Sequence, residues 1–171
     1  MWANILINKF TQNKVKITLL LVGKTAFPYI NEGIALYEKR LSYYVNYAKV
    51  EIPELKGVSA MSQEQIKEKE GELILKNIKP TDEVILLDER GDFFTSEDWP
   101  RHLEKKIVYT GKDIVFVIGG AYGFSKEVYK RANGMLSLSK MTFSHQMIRL
   151  LFIEQLYRAY TIINHLPYHH N

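Results

Sequence analysis

Short apolar runs alternate along this chain with longer stretches whose apolar positions recur at helical spacing. Lys16–Val22 predicts a first strand, closed by Gly23. Tyr29–Leu41 predicts a helix with Ile30, Ile34, Tyr37 and Leu41 on one stripe. Ala48–Ile52 reads as a short strand ended by Pro53. Ser62, with Gln65 following at capping-box spacing, opens a helix that buries Ile66, Leu73 and Ile74. Glu83–Asp88 is a third strand, and Trp99–Tyr109 a helix entered through Thr95, Ser96 and Pro100. Ile114–Ile118 is a fourth strand. A short helix from Ser125 to Asn133 is expected to stop at Asn133-Gly134. Met135–Ser139 is a fifth strand and His145–Asn164 the last helix. Such regular alternation predicts a single α/β domain, a mostly parallel sheet with helices on both faces.

The fourth strand is the most informative. An apolar, β-branched run belongs in the middle of a covered sheet, and this one ends in Gly119-Gly120-Ala121-Tyr122-Gly123 before a helix opens. Glycines there are expected to let the backbone approach a ligand closely, since ligands sit outside the carboxyl ends of strands in open α/β sheets. The last helix is apolar around most of its circumference. Its polar strip runs through Glu154, Arg158 and Thr161, with Arg149 nearly opposite. Two readings follow: a helix clamped inside its own domain, or a homodimer interface.

With 171 residues the chain has material for one sizeable core, and 46% hydrophobic with 25% charged residues is an ordinary globular balance. The absence of cysteine excludes disulfides, thiolate catalysis and Cys-ligated zinc. A net charge of +4 is compatible with a polyanionic partner. No apolar run is long enough to span a membrane. Residues 1–13 read as a loosely held extension without a signal-peptide pattern, ahead of a domain at 14–171.

Several familiar motifs fail. Gly23-Lys24-Thr25 resembles the tail of a P-loop, but the first glycine would fall on Thr18. The 119–123 glycines lack dinucleotide-fingerprint spacing. No G-x-S-x-G elbow is present. His165, His169 and His170 cluster beside Pro167, where a polar tail is expected and no metal site. What remains is a set of three strand ends able to share one cavity: Leu86–Asp88, Ile118–Gly120 and Leu138–His145. The third has backbone groups suited to edge-binding an adenine, with Leu87 and Met141 against the ring. The helix start near Ser144 and His145 favours an anionic group. The alternative is an ordinary βα turn capped by Ser144.

These pieces carry a resemblance. Lys16–Gly23, residues 67–72, 116–123, 136–143, 145–149 and 153–159, and Tyr168-His169 follow one another as in the RlmH-type family. Its members are pseudouridine N3-methyltransferases of large-subunit (23S) ribosomal RNA within the SPOUT superfamily. The resemblance implies S-adenosyl-L-methionine as donor, a cytoplasmic homodimer acting on the large ribosomal subunit or the assembled ribosome, no metal and no membrane. It also implies a trefoil knot in the C-terminal part, which general topology rules would not suggest. Donor-binding positions carry over to Leu87, Gly119, Gly120 and the segment Ser139, Lys140, Met141, Thr142, Phe143 and Ser144. Two departures stand out: Ser144 where the family commonly has proline, and His170 where it has a basic residue.

Methyl transfer to an imide nitrogen needs alignment of donor and acceptor and a route for the N3 proton. His145 is the expected base. Arg149, Arg158 and His169 are expected to hold phosphate or base carbonyls, with Glu154 and Tyr168 as supports. Two rivals remain at this level: a non-catalytic ribosome-associated factor on the same scaffold, and a nucleotide- or flavin-binding domain.

Overall fold

Strand side chains divide by parity between two apolar layers, as a sheet covered on both faces requires. In the computed structural model, which describes residues 15–168, Ile17, Leu19 and Leu21 of β1 (Lys16–Val22) enter one core together with Phe116 and Ile118. Leu20 and Val22 enter the other with Val115 and Val117. The remaining strands are β2 (Asn46–Ile52), β3 (Glu83–Phe93), β4 (Ile114–Ile118) and β5 (Gly134–Ser137). Their order is β2-β1-β4-β3-β5, and every pairing is parallel. Helices α1 (Pro28–Leu41), α3 (Asp98–Thr110) and α5 (Met147–Ile163) cover the first core; α2 (Gln63–Lys76) and α4 (Lys126–Arg131) cover the second. The expected α/β architecture with helices on both faces is therefore present.

Local chemistry explains most boundaries. Ser62 Oγ accepts from the Gln65 N–H at 3.2 Å while Gln65 Oε1 accepts from the Ser62 N–H at 2.9 Å, closing the capping box of α2. Most boundaries shift by a residue or two from expectation, and three of the differences have a clear cause. The helix α4 ends without a left-handed cap: Ala132 is extended, and Asn133 instead pairs with Val84, its Oδ1 accepting from the Val84 N–H at 2.9 Å. That bond peels the chain directly into β5. The last helix begins at Met147, two residues late, because Ser144 Oγ accepts from the Met147 N–H at 3.1 Å.

The largest difference is in β3, which runs on to Phe93. Its pairing with β5 breaks after Leu87 and resumes at Asp92, and both residues face Leu136. The residues between, Asp88 to Gly91, are thus pushed out of the sheet. Gly91 is obligatory at this crossing, since a Cβ there would lie 2.6 Å from Leu136 N. From the edge strand β5 the chain then returns across the sheet to seat α5 against both α1 and α3. Among the described residues no helix is long and apolar enough to cross a membrane, and no group of His, Asp and Glu is arranged to hold a metal. The extension at 1–13 lies outside the described residues.

Candidate functional site

The carboxyl ends of β3, β4 and β5 lie side by side and enclose a cavity of about 550 Å³, within the size range of small-molecule sites. Leu87, Gly119, Gly120, Ser139, Met141, Thr142, Phe143, Ser144 and His145 all line it. The three strand ends singled out in the sequence thus share one space. Lys140, in the same loop, is exposed and is not among the lining residues. The loop is held by its own serines: Ser137 Oγ donates to the Ser139 carbonyl at 2.9 Å, and Ser139 Oγ accepts from the Met141 N–H at 2.9 Å. Met141 and Phe143 remain exposed on the rim.

The diglycine is also hemmed in by its own chain. A Cβ on Gly119 would meet the Phe124 ring at 3.0 Å, and one on Gly120 would meet Glu70 Oε2 at 2.5 Å. Gly119 is held close by the Phe124 ring, whereas the neighbour of Gly120 is the movable end of a glutamate side chain. Glu70, on α2, has an Oε2 that is buried without a hydrogen-bond partner among the described residues. Burial, and then the nearby Glu54, raise its pKa.

To Asp88, at a strand end the sequence singled out, the structure adds two polar groups that sequence reading left out, Arg90 from the β3 excursion and Tyr129 from α4. Asp88, Arg90 and Tyr129 line the cavity. Asp88 Oδ1 accepts from the Arg90 N–H at 2.9 Å and from its Nε at 3.1 Å; Oδ2 accepts from Nη2 at 3.2 Å and from the Tyr129 hydroxyl at 2.5 Å. Burial opposes the charge on Asp88, but the bonds from Arg90 and Tyr129 outweigh it and its pKa is lowered. Burial and the bond to Asp88 push the Tyr129 phenol up to about 12, so it remains a donor. The signal was an Asp-x-Arg directly after an apolar strand, too short to distinguish from a solvated turn.

His145 lines the cavity half-buried. Its pKa is lowered by burial and then by Arg149, against the pull of Glu54, so the imidazole is neutral at pH 7. Arg149 does not stand where it was expected. Its side chain is fully buried. Nη2 donates to the Val22 carbonyl at 2.6 Å, Nη1 to the Gly23 carbonyl and Thr25 Oγ1 at 3.0 Å each, and Nε to the His145 carbonyl at 3.0 Å. A guanidinium so occupied braces the start of α5 against the end of β1 and offers nothing to a phosphate. Glu154, Arg158 and Tyr168 also lie outside the cavity. They form a cluster of their own: Glu154 Oε1 accepts from Arg158 Nε at 3.1 Å and Nη2 at 2.6 Å, and from the Tyr168 hydroxyl at 3.2 Å. Arg158 lies 4.9 Å from the Tyr168 ring centroid. His169 and His170 lie outside the described residues.

Comparison with known proteins agrees with this architecture. Residues 15–169 match the family described as "Predicted SPOUT methyltransferase". The chain is 54% identical over 156 residues to the ribosomal RNA large subunit methyltransferase H of Parabacteroides distasonis, covering 91% of this chain and 99% of that protein. The like-named proteins of Flavobacterium johnsoniae and Bacteroides fragilis are 51% and 50% identical with the same coverage.

Proposed function

The chain belongs to the SPOUT methyltransferases, and on that premise we propose that it methylates N3 of a pseudouridine in 23S ribosomal RNA, using S-adenosyl-L-methionine and acting on the assembled ribosome. The observation that carries this reading is the meeting of residues 119–120 with 139–144 in one cavity. The residues suit the donor. Leu87, Ile118 and Met141 give apolar walls for an adenine, and the loop at 139–144 offers backbone donors and acceptors for its edge. The bound donor supplies an electrophilic methyl on a sulfonium. Leu87, Gly119, Gly120, Ser139, Met141, Thr142, Phe143 and Ser144 would hold it, with Lys140 at the outer edge of the loop.

The chain's task is then alignment and proton removal. His145, neutral and on the cavity wall, accepts the N3 proton as the nitrogen attacks. Tyr129 keeps its proton and donates a hydrogen bond to Asp88, while Arg90 stays charged and acts as a donor.

The same reading includes a homodimer. Tyr29 and Leu36 stand exposed seven residues apart on α1, and Tyr43 follows just past its end. On α5, Leu150, which lies against Gly33 of α1, is only half-covered, as are Met147 and Leu151. A second copy would bury this apolar surface. It would also explain why Arg158, Glu154 and Tyr168 sit away from the cavity of their own chain: Arg158 then faces RNA at the subunit boundary. A C-terminal trefoil knot accords with α5 returning across the sheet from β5. A ribosomal substrate places the protein in the cytoplasm.

The experiment is transfer of a labelled methyl group to ribosomes from a strain lacking the modification. Mass spectrometry of 23S RNA fragments should find one added methyl on N3 of a pseudouridine. Label on another base, or binding without transfer, would defeat the proposal.

A further inference from the structure

We infer that Arg90 anchors the carboxylate of the donor's amino-acid tail, in an orientation set by Asp88 and Tyr129. The inference rests on the donor reading of the cavity. Among the described residues lining that space, Arg90 is the one with an ammonium or guanidinium group. S-Adenosylmethionine has one anionic group, its carboxylate. The cavity also presents Asp88 and Glu89, so with His145 neutral its lining carries two negative charges against one positive. The donor carries the reverse, a sulfonium and an ammonium against a carboxylate. The charges complement each other.

The geometry explains why Arg90 is available for this role. Asp88 is nearly buried, its side chain 9% exposed, and both its oxygens are taken. It therefore orients Arg90 and has no free edge for a ligand. The Nε and Nη2 of Arg90 face Asp88, while Nη1 has no partner among the described residues. The guanidinium carbon lies 4.9 Å from the Tyr129 ring centroid, and Nη2 also bonds to the Tyr129 hydroxyl. One edge of the fork is fixed and the side chain is 65% exposed, so the opposite edge is presented with little orientational freedom left to lose. Both hydrogens of Nη2 are taken by Asp88 and Tyr129, so the carboxylate accepts from Nη1 in a charge-assisted hydrogen bond. This assembly exists because β3 expels residues 88–91 between the two partners of Leu136.

Isothermal titration distinguishes the roles. The probes are S-adenosylhomocysteine and 5′-methylthioadenosine, which keeps adenine, ribose and sulfur but lacks the amino-acid tail. Arg90→Gln should weaken S-adenosylhomocysteine about tenfold or more, the worth of a charged hydrogen bond, and leave methylthioadenosine within about twofold. Arg90→Lys should fall between, since an ammonium keeps the charge but is not held in a fixed direction by Asp88 and Tyr129. Equal weakening of both ligands would reduce Arg90 to a prop for the loop. Unchanged affinity for S-adenosylhomocysteine with weakened ribosome binding would make it a phosphate contact. Either outcome overturns the assignment while leaving the donor cavity standing. If the wild-type protein binds neither probe, the donor reading itself falls and takes this inference with it.

Discussion

Arg149 Nη2 donates to the main-chain oxygen of Val22 at 2.6 Å, across 127 positions of sequence. With its bonds to Gly23, Thr25 and His145, this side chain ties the first residues of α5 to the end of β1. Arg149→Met should cost about 3–5 kcal/mol, since it strands buried oxygens that had charged donors. Urea denaturation measures it. If the variant keeps full stability while losing ribosome affinity, Arg149 is an RNA contact after all.

Two glycines should answer differently to a methyl group. At Gly91 the new Cβ meets backbone, 2.6 Å from Leu136 N and 2.6 Å from Met135 C. Gly91→Ala should therefore cost more than about 2 kcal/mol by forcing β3 off β5. At Gly120 the neighbour is the carboxylate end of Glu70, which can rotate aside. Gly120→Ala should cost about 1 kcal/mol or less and leave binding of S-adenosylhomocysteine nearly intact. Thermal melts and titration of both variants decide it. A large loss of affinity without loss of stability at Gly120 would restore close ligand approach as the reason for that glycine.

Glu70 should lower stability as pH rises. Its pKa is raised in the folded state by burial and then by Glu54, so the folded protein binds that proton more tightly than the unfolded chain does. The contribution is full below about pH 4.3, the ordinary carboxylate value, and is lost as pH rises through the raised folded value. Glu70→Gln should melt higher than wild type above that window and converge with it below. Parallel melting curves at every pH would show that Glu70 is well solvated.

The rate of methyl transfer should hold down to mildly acidic pH. The His145 pKa is lowered by burial and by Arg149, so the acid limb of kcat should have its midpoint below about 6.5, the ordinary histidine value. His145→Gln should remove this limb and reduce kcat by about 100-fold or more. An unchanged profile in that variant would move the base elsewhere.

Leu36→Glu combined with Leu151→Glu should yield a monomer. Light scattering on the wild type should report twice the 20.0 kDa chain mass. The double variant should keep affinity for S-adenosylhomocysteine, because the cavity is built within one chain, yet lose methyl transfer. A wild-type monomer at micromolar concentration would refute the interface.

Much of this architecture was legible from residue order. Alternation of apolar positions in β1 and β4 divides cleanly between two cores, and Ser62 with Gln65 marks the start of α2 to the residue. The cavity was legible too, as three strand ends of one parallel sheet. What escaped notice depends on contacts far apart in sequence. Arg149 stands among apolar positions of its helix, which is where a buried side chain belongs, but its acceptors are carbonyls of β1 that no local pattern reveals. The partner of Gly120 is a glutamate on another helix. The excursion at 88–91 follows from Leu136 serving two residues of β3, a matter of register that composition does not encode.

The Arg149 tie has a consequence for biosynthesis. It joins residues 22–25 to residues 145–149, and the cavity draws its walls from residues 87 to 148. Chain emerging from the ribosome presents β1 early, yet its bracing arginine arrives only with the final helix. A nascent fragment that lacks residues 145–149 therefore has no finished pocket, and the protein cannot engage its ligands until α5 has emerged.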